Sequence, residues 1–148
     1  MRRLALILVA TAAACSSSTG PKTPAFVGTW DLVSVDGAPL PETVATVVGT
    51  GAAFLLQDAT LVLTGATAGD SLVTDFRIST SATIIPSVDH VAALGNGTEL
   101  EWLDRSDSTD AITVHGDTLL LTTSRLALSS HTFMFERATH ASNAAARF

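Results

Sequence analysis

Val27-Gly28-Thr29-Trp30-Asp31-Leu32-Val33-Ser34-Val35-Asp36-Gly37 is the stretch that decides the fold. Strand-forming residues run up to an Asp-Gly pair, the pattern of an extended segment entering a tight turn. Alternation places Trp30 and Leu32 on one face of that segment. Ala38-Pro39-Leu40-Pro41 follows, and its two prolines, which lack an N–H donor, stop the pairing there.

Toward the C-terminus, short β-type runs recur at residues 52–56, 60–64, 71–79, 83–85, 99–103, 111–115, 118–123 and 132–137. Turn signals separate them: residues 65–69, Gly95-Asn96-Gly97, the Ser/Asp run 104–110, and Gly116-Asp117. Threonine supplies 21 of the 148 residues, a usage that favours strands over helices. The one helix candidate is residues 42–48, which Gly49 and Gly51 interrupt. Residues 138–148 are alanine-rich and are expected to fray. Seven to nine short strands at hairpin spacing predict an all-β domain over residues 26–137, either a meander closed as a barrel or a sandwich.

Toward the N-terminus, Arg2 and Arg3 precede an apolar run at residues 4–10, a small-residue stretch and Cys15, the only cysteine. That run is too short to span a bilayer, which takes about 20 apolar residues. The layout predicts an export signal over residues 1–14. Ala12-Ala13-Ala14-Cys15 resembles the lipobox of bacterial lipoproteins, although that family usually carries leucine where this chain has Ala12. The resemblance implies lipidation of Cys15 and attachment to a membrane through acyl chains. The same residues also satisfy a plain secretory site, Ala12-x-Ala14, which would leave a soluble secreted or periplasmic protein. A lone exported cysteine has no internal disulfide partner, and lipidation gives it a use. Residues 15–25 then read as a flexible tether. Ser16, in place of aspartate, implies in such lipoproteins an outer-membrane location facing the periplasm.

Without Arg2 and Arg3, six basic side chains face fourteen acidic ones, a net of −8. An acidic surface argues against nucleic acid as a partner. Arg77, Arg105, Arg125 and Arg137 are too scattered in sequence to define a basic patch.

Gly28-x-Trp30 on the first strand, with Arg137 ending the last, resembles the lipocalin-like (calycin) pattern. Residues 28–40 are similar to the opening of small barrel domains in bacterial envelope lipoproteins, including the META type. The resemblance implies an antiparallel up-and-down barrel of about eight strands, Trp30 inside one end and Arg137 across it. Alternation is compatible, because it sets Phe133, Phe135 and Arg137 on one face. The other reading makes Trp30 a plain core anchor and Arg137 a solvated strand end.

Candidate chemistry is sparse. Gly69-Asp70-Ser71-Leu72 matches the motif of the GDSL hydrolases, whose serine is a nucleophile. That family needs an α/β fold and an Asp-x-x-His near the C-terminus, and Asp89-His90 lacks the spacing, so ordinary turn composition is the better reading. Asp104, Asp107 and Asp110 lie three residues apart without the spacing of a calcium loop and predict a polar hairpin loop. His90, His115, His131 and His140 show no ligand spacing and are expected at the surface or in turns, so neither metal nor cofactor is expected. Asn96-Gly97-Thr98 reads as a tight turn rather than a glycosylation acceptor. A terminal aromatic, Phe148, occurs in outer-membrane barrels, but this chain has no tyrosine and only 5% aromatics, so it has no material for aromatic girdles.

The expectation is therefore a non-catalytic envelope lipoprotein, its barrel a binding module for a small apolar ligand. An eight-stranded barrel is just wide enough to fill itself or to hold one such ligand. The alternative is a structural or interaction lipoprotein with a filled core, working through protein partners in envelope maintenance. An esterase-type hydrolase through Ser71 is the outside reading. In cells fed labelled fatty acid, the wild-type chain should incorporate label and Cys15→Ser should not; equal labelling of both would remove the anchor.

Overall fold

The computed structural model describes residues 23–65, 71–78, 83–94, 97–104, 108–127 and 129–139. They form ten strands: β1 (Gly28–Val35), β2 (Ala38–Pro39), β3 (Glu42–Thr46), β4 (Ala53–Leu63), β5 (Ser71–Ile78), β6 (Ile84–Leu94), β7 (Glu99–Trp102), β8 (Ser108–His115), β9 (Thr118–Thr123) and β10 (His131–Arg137). From β4 to β10 each strand pairs antiparallel with the next; β10 then pairs with β1, and β1 with β4. Eight strands thus close into an antiparallel barrel, the one of the two architectures open to the hairpin spacing that the Gly28-x-Trp30 and Arg137 resemblance implies. Closure joins β1 to β4 over Gly28–Asp31, and the edges left among the described residues are those of the short strands β2 and β3.

β2 and β3 lie on the excursion between β1 and β4, and they shape one end. Gly28–Asp31 of β1 pair with Leu63–Thr60 of β4, and the Thr60 hydroxyl donates to Asp31 Oδ1 at 3.2 Å. Beyond that rung the strands part: Ser34 and Val35 pair with β2, while residues 53–56 of β4 pair with β3. The barrel is closed at the Trp30 end and splayed at the other, where β3 widens the wall.

Three departures from the expected elements have physical causes. Residues 42–48 contain a strand, not a helix, because Glu42–Thr46 find partners along β4 and carry β-branched Thr43, Val44 and Thr46. Residues 52–56 and 60–64 belong to one strand, whose register shifts between Leu56 and Asp58. That bulge changes the phase of alternation, so Leu56 and then Ala59, Leu61 and Leu63 all face inward. β6 continues nine residues past Ile85, and Asp89, Val91 and Ala93 point inside. An inward aspartate and small alanines hide that strand from a hydrophobic pattern.

The core is packed from side to side. Trp30, Leu61, Leu72, Leu100, Leu119 and Phe135 are fully buried toward the closed end. Phe26 covers that end, and its carbonyl accepts the Trp30 indole N–H at 2.8 Å. Gly97 backs onto the Phe26 ring with φ +80°, and a Cβ there would collide with the ring. Gly116 also has positive φ, +60°, but faces open space. Gly97→Ala should therefore cost about 2–4 kcal/mol, strain plus overpacking, and Gly116→Ala only about 1 kcal/mol of strain. Urea unfolding of the two variants measures both; equal costs would mean that the Phe26 contact contributes nothing.

Candidate functional site

The two ends of the barrel each carry an arginine over a tryptophan, and their surroundings separate a cap from a site. At the closed end the Arg137 guanidinium lies 4.1 Å from the Trp30 ring centroid. Its NH1 and NH2 groups donate to the carbonyls of Val27 and Ala25, both at 2.8 Å, and Nε donates to Asp117 Oδ1 at 3.2 Å. Gly28, at φ +148°, leaves the space that the guanidinium occupies, and a Cβ would collide with it. All three nitrogens have acceptors, two of them backbone carbonyls held in place, so this end is a plug, and the cation–π contact strengthens it.

At the splayed end the pair is Trp102 and Arg125, with 5.9 Å between guanidinium carbon and ring centroid. Asp110 Oδ2 organises it, accepting from Trp102 Nε1 at 2.8 Å and Thr123 Oγ1 at 2.7 Å, with Arg125 Nε at 3.3 Å. The Arg125 N–H in turn donates to Thr123 Oγ1 at 3.0 Å, which fixes where the chain leaves β9. Leu126 follows and is buried over the mouth. Between it and the wall lies an open cleft of about 320 Å³, lined by Val44, Phe54, Phe76, Ile85, Arg125 and Leu126 among others. That volume is at the lower limit of small-molecule sites. The cleft is apolar because Val44 and Ala45 of β3, Phe54 of β4, Phe76 of β5 and Ile85 of β6 meet Leu126 and Ala127 of the segment after β9 there. Its depth is limited by Leu56 and Phe133, which fill the barrel below.

A polar cluster sits on the rim. Asp36 (φ +49°) and Gly37 (φ +81°) form the tight turn between β1 and β2. The Asp36 N–H donates to the Thr132 carbonyl at 2.8 Å, but the Thr132 N–H donates to Asp36 Oδ1 at 2.7 Å. The chain has already turned, so the carboxylate takes the ladder position of its own carbonyl. Oδ2 is left for His131 Nδ1, at 2.6 Å, and His131 Nε2 meets the Ser129 hydroxyl at 2.9 Å. The His131 ring stands edge-on to Phe133 at 6.3 Å. The Thr132 N–H and then the His131 hydrogen bond hold the Asp36 carboxyl below the usual aspartate range, against a small opposing desolvation. Beside this cluster an outer groove of about 490 Å³ runs along Val33, Pro39, Leu120 and Met134, with Asp36 and Thr132 in its wall.

The residues singled out in the sequence fall as follows. Cys15, the export signal and most of the tether lie outside the described residues, as do Gly69, Asp70, Asn96, Arg105, Asp107, His140 and Phe148. Ser71 opens β5 opposite Val62 and His90, on an all-β wall rather than the α/β turn its motif requires. His90 and His115 are exposed, and the His90 N–H donates to Asp104 Oδ2 at 2.7 Å. Asp110 is not a loop residue: β8 begins at Ser108, and Asp110 turns inward to hold the mouth. His131 belongs to a strand and a hydrogen-bonded cluster rather than a turn. Among the described residues no group of three or more His, Cys, Asp or Glu side chains is placed to hold a metal. Comparison with models of known families, with curated proteins and with solved structures finds no match.

The lowered Asp36 carboxyl carries a pH dependence of fixed sign. A group whose folded value lies below its unfolded value of about 3.8 stabilises the fold above that pH, and the contribution is lost as pH falls through the folded value. Asp36→Asn tolerates the positive φ and removes the charge. Its melting temperature should lie below wild type at pH 6, and the gap should close as pH falls from about 4 toward 2. A gap constant over that range would show that the charge is not the source.

Proposed function

We propose that this chain is a lipid-anchored protein of the cell envelope whose lipocalin-like barrel binds a small apolar ligand at its splayed mouth. Cys15 is the attachment point and residues 15–25 the tether, with the outer membrane, periplasmic side, as the location the Ser16 signal favours. The observation that carries the binding reading is the cleft between Phe54, Phe76 and Leu126, open above and floored by packed side chains. A ligand there sits shallowly, covered by the Arg125–Ala127 segment, and apolar burial supplies its affinity at about 25 cal/mol per Å² removed from water. Arg125 is already balanced by Asp110, so the mouth favours a neutral ligand.

The packed lower barrel favours a second reading, a filled interaction module that meets protein partners in envelope maintenance. Native mass spectrometry of the exported Cys15→Ser chain, purified without detergent, distinguishes them. An extra mass lost on unfolding, and lost from Phe76→Glu, is the expected outcome. Retention by Phe76→Glu would displace the ligand from the mouth, and a bare mass together with a specific cross-linked envelope protein would favour the interaction module.

A further inference from the structure

We propose that Ser129, His131 and Asp36 form a nucleophilic relay on the barrel rim that takes acyl groups from small esters. This goes beyond the binding reading and does not rest on it. The three side chains stand in the order that activation of a serine requires. The ionised Asp36 carboxylate can only accept, so His131 Nδ1 carries the proton in their 2.6 Å hydrogen bond. In the neutral ring Nε2 is then left as a lone-pair acceptor, and the Ser129 hydroxyl is 2.9 Å from it. A nucleophile hydrogen-bonded to a base that a third group orients is the geometric signature of a serine acyl-transfer site, independent of fold.

The orienting group is rigid. Asp36 is fixed by its turn, by its own N–H on the Thr132 carbonyl and by Oδ1 on the Thr132 N–H. The nucleophile is accessible: Ser129 is exposed, ahead of β10, while the His131 side chain is only 16% exposed and braced by Phe133. The substrate class follows from access: Ser129 is exposed at the rim, so a small ester reaches it without entering the barrel. The groove along Val33, Leu120 and Met134 lies on the outer face of β10, opposite the face that carries His131 and Phe133, and meets the relay only at Asp36.

The chemistry balances with water alone. Ser129 Oγ attacks the ester carbonyl, the Oγ–C bond forms, and the hydroxyl proton passes to His131 Nε2. Collapse breaks the bond to the alcohol, which leaves with that proton. Water, deprotonated by Nε2, then attacks the acyl-serine, releasing the carboxylic acid and restoring Ser129. General-base assistance of this kind is worth about 10²- to 10⁴-fold.

An octyl fluorophosphonate, incubated with the full chain, tests the relay, because a serine activated in this way displaces fluoride and forms a stable Oγ–P bond. One adduct on Ser129 is expected, absent in Ser129→Ala at unchanged melting temperature, undiminished in Ser130→Ala, and formed at least about 100-fold more slowly in His131→Ala. p-Nitrophenyl butyrate hydrolysis should follow the same order. Asp36 is a positioning residue, and its readout is the His131 tautomer. The carboxylate only accepts, so it holds the proton on Nδ1, whereas the amide of Asp36→Asn can donate to Nδ1 and leave the proton on Nε2. The ring ¹⁵N shifts of His131 should report that exchange, and adduct formation should slow with it. An altered turn alone would not exchange the two nitrogens. No adduct, an adduct elsewhere, or a Ser129 adduct formed equally fast without His131 would overturn the relay; an unchanged tautomer would remove Asp36 from it.

Discussion

Everything in this barrel depends on β1 pairing on both of its edges. One edge takes β10, and the other takes β4 over Gly28–Asp31 and then β2. Without β1 the seven strands from β4 to β10 would be an open meander, with β10 bare at one edge and β4 covered only where β3 lies at the other, a template for intermolecular pairing. The seam with β4 is long enough to close one end and too short to close the other. Four residues of β1 bond to β4 before the strands part, so the plug at Trp30 and the mouth at Phe54 come from one geometric decision. That decision is where the chain stops pairing with β4.

The two Arg-over-Trp pairs show how similar parts take different roles according to what else they touch. Arg137 is held by two backbone carbonyls and an exposed aspartate, so its charge is neutralised mostly by fixed dipoles and the end stays shut. Arg125 shares the inward Asp110 with Trp102 and Thr123, and the loop it anchors only leans over the opening. An inward carboxylate is tolerated because the indole N–H, a hydroxyl and a guanidinium all meet it; losing one of them would leave a half-buried charge short of a partner. The mouth is thus an apolar cleft held open by a polar clasp, while the floor below it is ordinary core.

Much of the fold was legible because alternation and turn chemistry are local. The Asp-Gly turn after β1, the inward set Trp30, Leu32, Phe133 and Phe135, and the meander of short strands all follow from neighbours in sequence. Bulges were not legible. Those at Leu56–Asp58 and Thr43–Ala45 change phase without a residue that announces them, so β4 looked like two strands and β3 like a helix. The polar parts of the site were hidden for a different reason. Asp110 lay in a Ser/Asp-rich stretch that reads as loop, and its role depends on Trp102, Thr123 and Arg125 arriving from neighbouring strands. Asp36 and His131 are 95 residues apart, and barrel closure alone makes them neighbours. Spacing rules for histidine search the sequence, whereas this contact is created by topology.

The bulge in β1 carries that last point further. Leu32 lies opposite Phe135, but Ser34 lies opposite Met134, so Val33 is the extra residue and each later position of β1 pairs one residue further along β10. In an unbulged register Asp36 would fall opposite His131; the shift sets it opposite Thr132 instead. Because Asp36 is also the residue where the chain turns, its carboxylate replaces its carbonyl on the Thr132 N–H, and the second oxygen is left pointing one residue back, at the imidazole. A direct Asp36–His131 cross-strand pair would have had no such division of labour. One oxygen would not be committed to the backbone, and the carboxylate could follow the histidine through its rotamers instead of fixing it. The inserted residue therefore does more than bend the strand: it turns the last rung of the ladder into a rigid bracket for His131, and through it sets the nitrogen that faces Ser129.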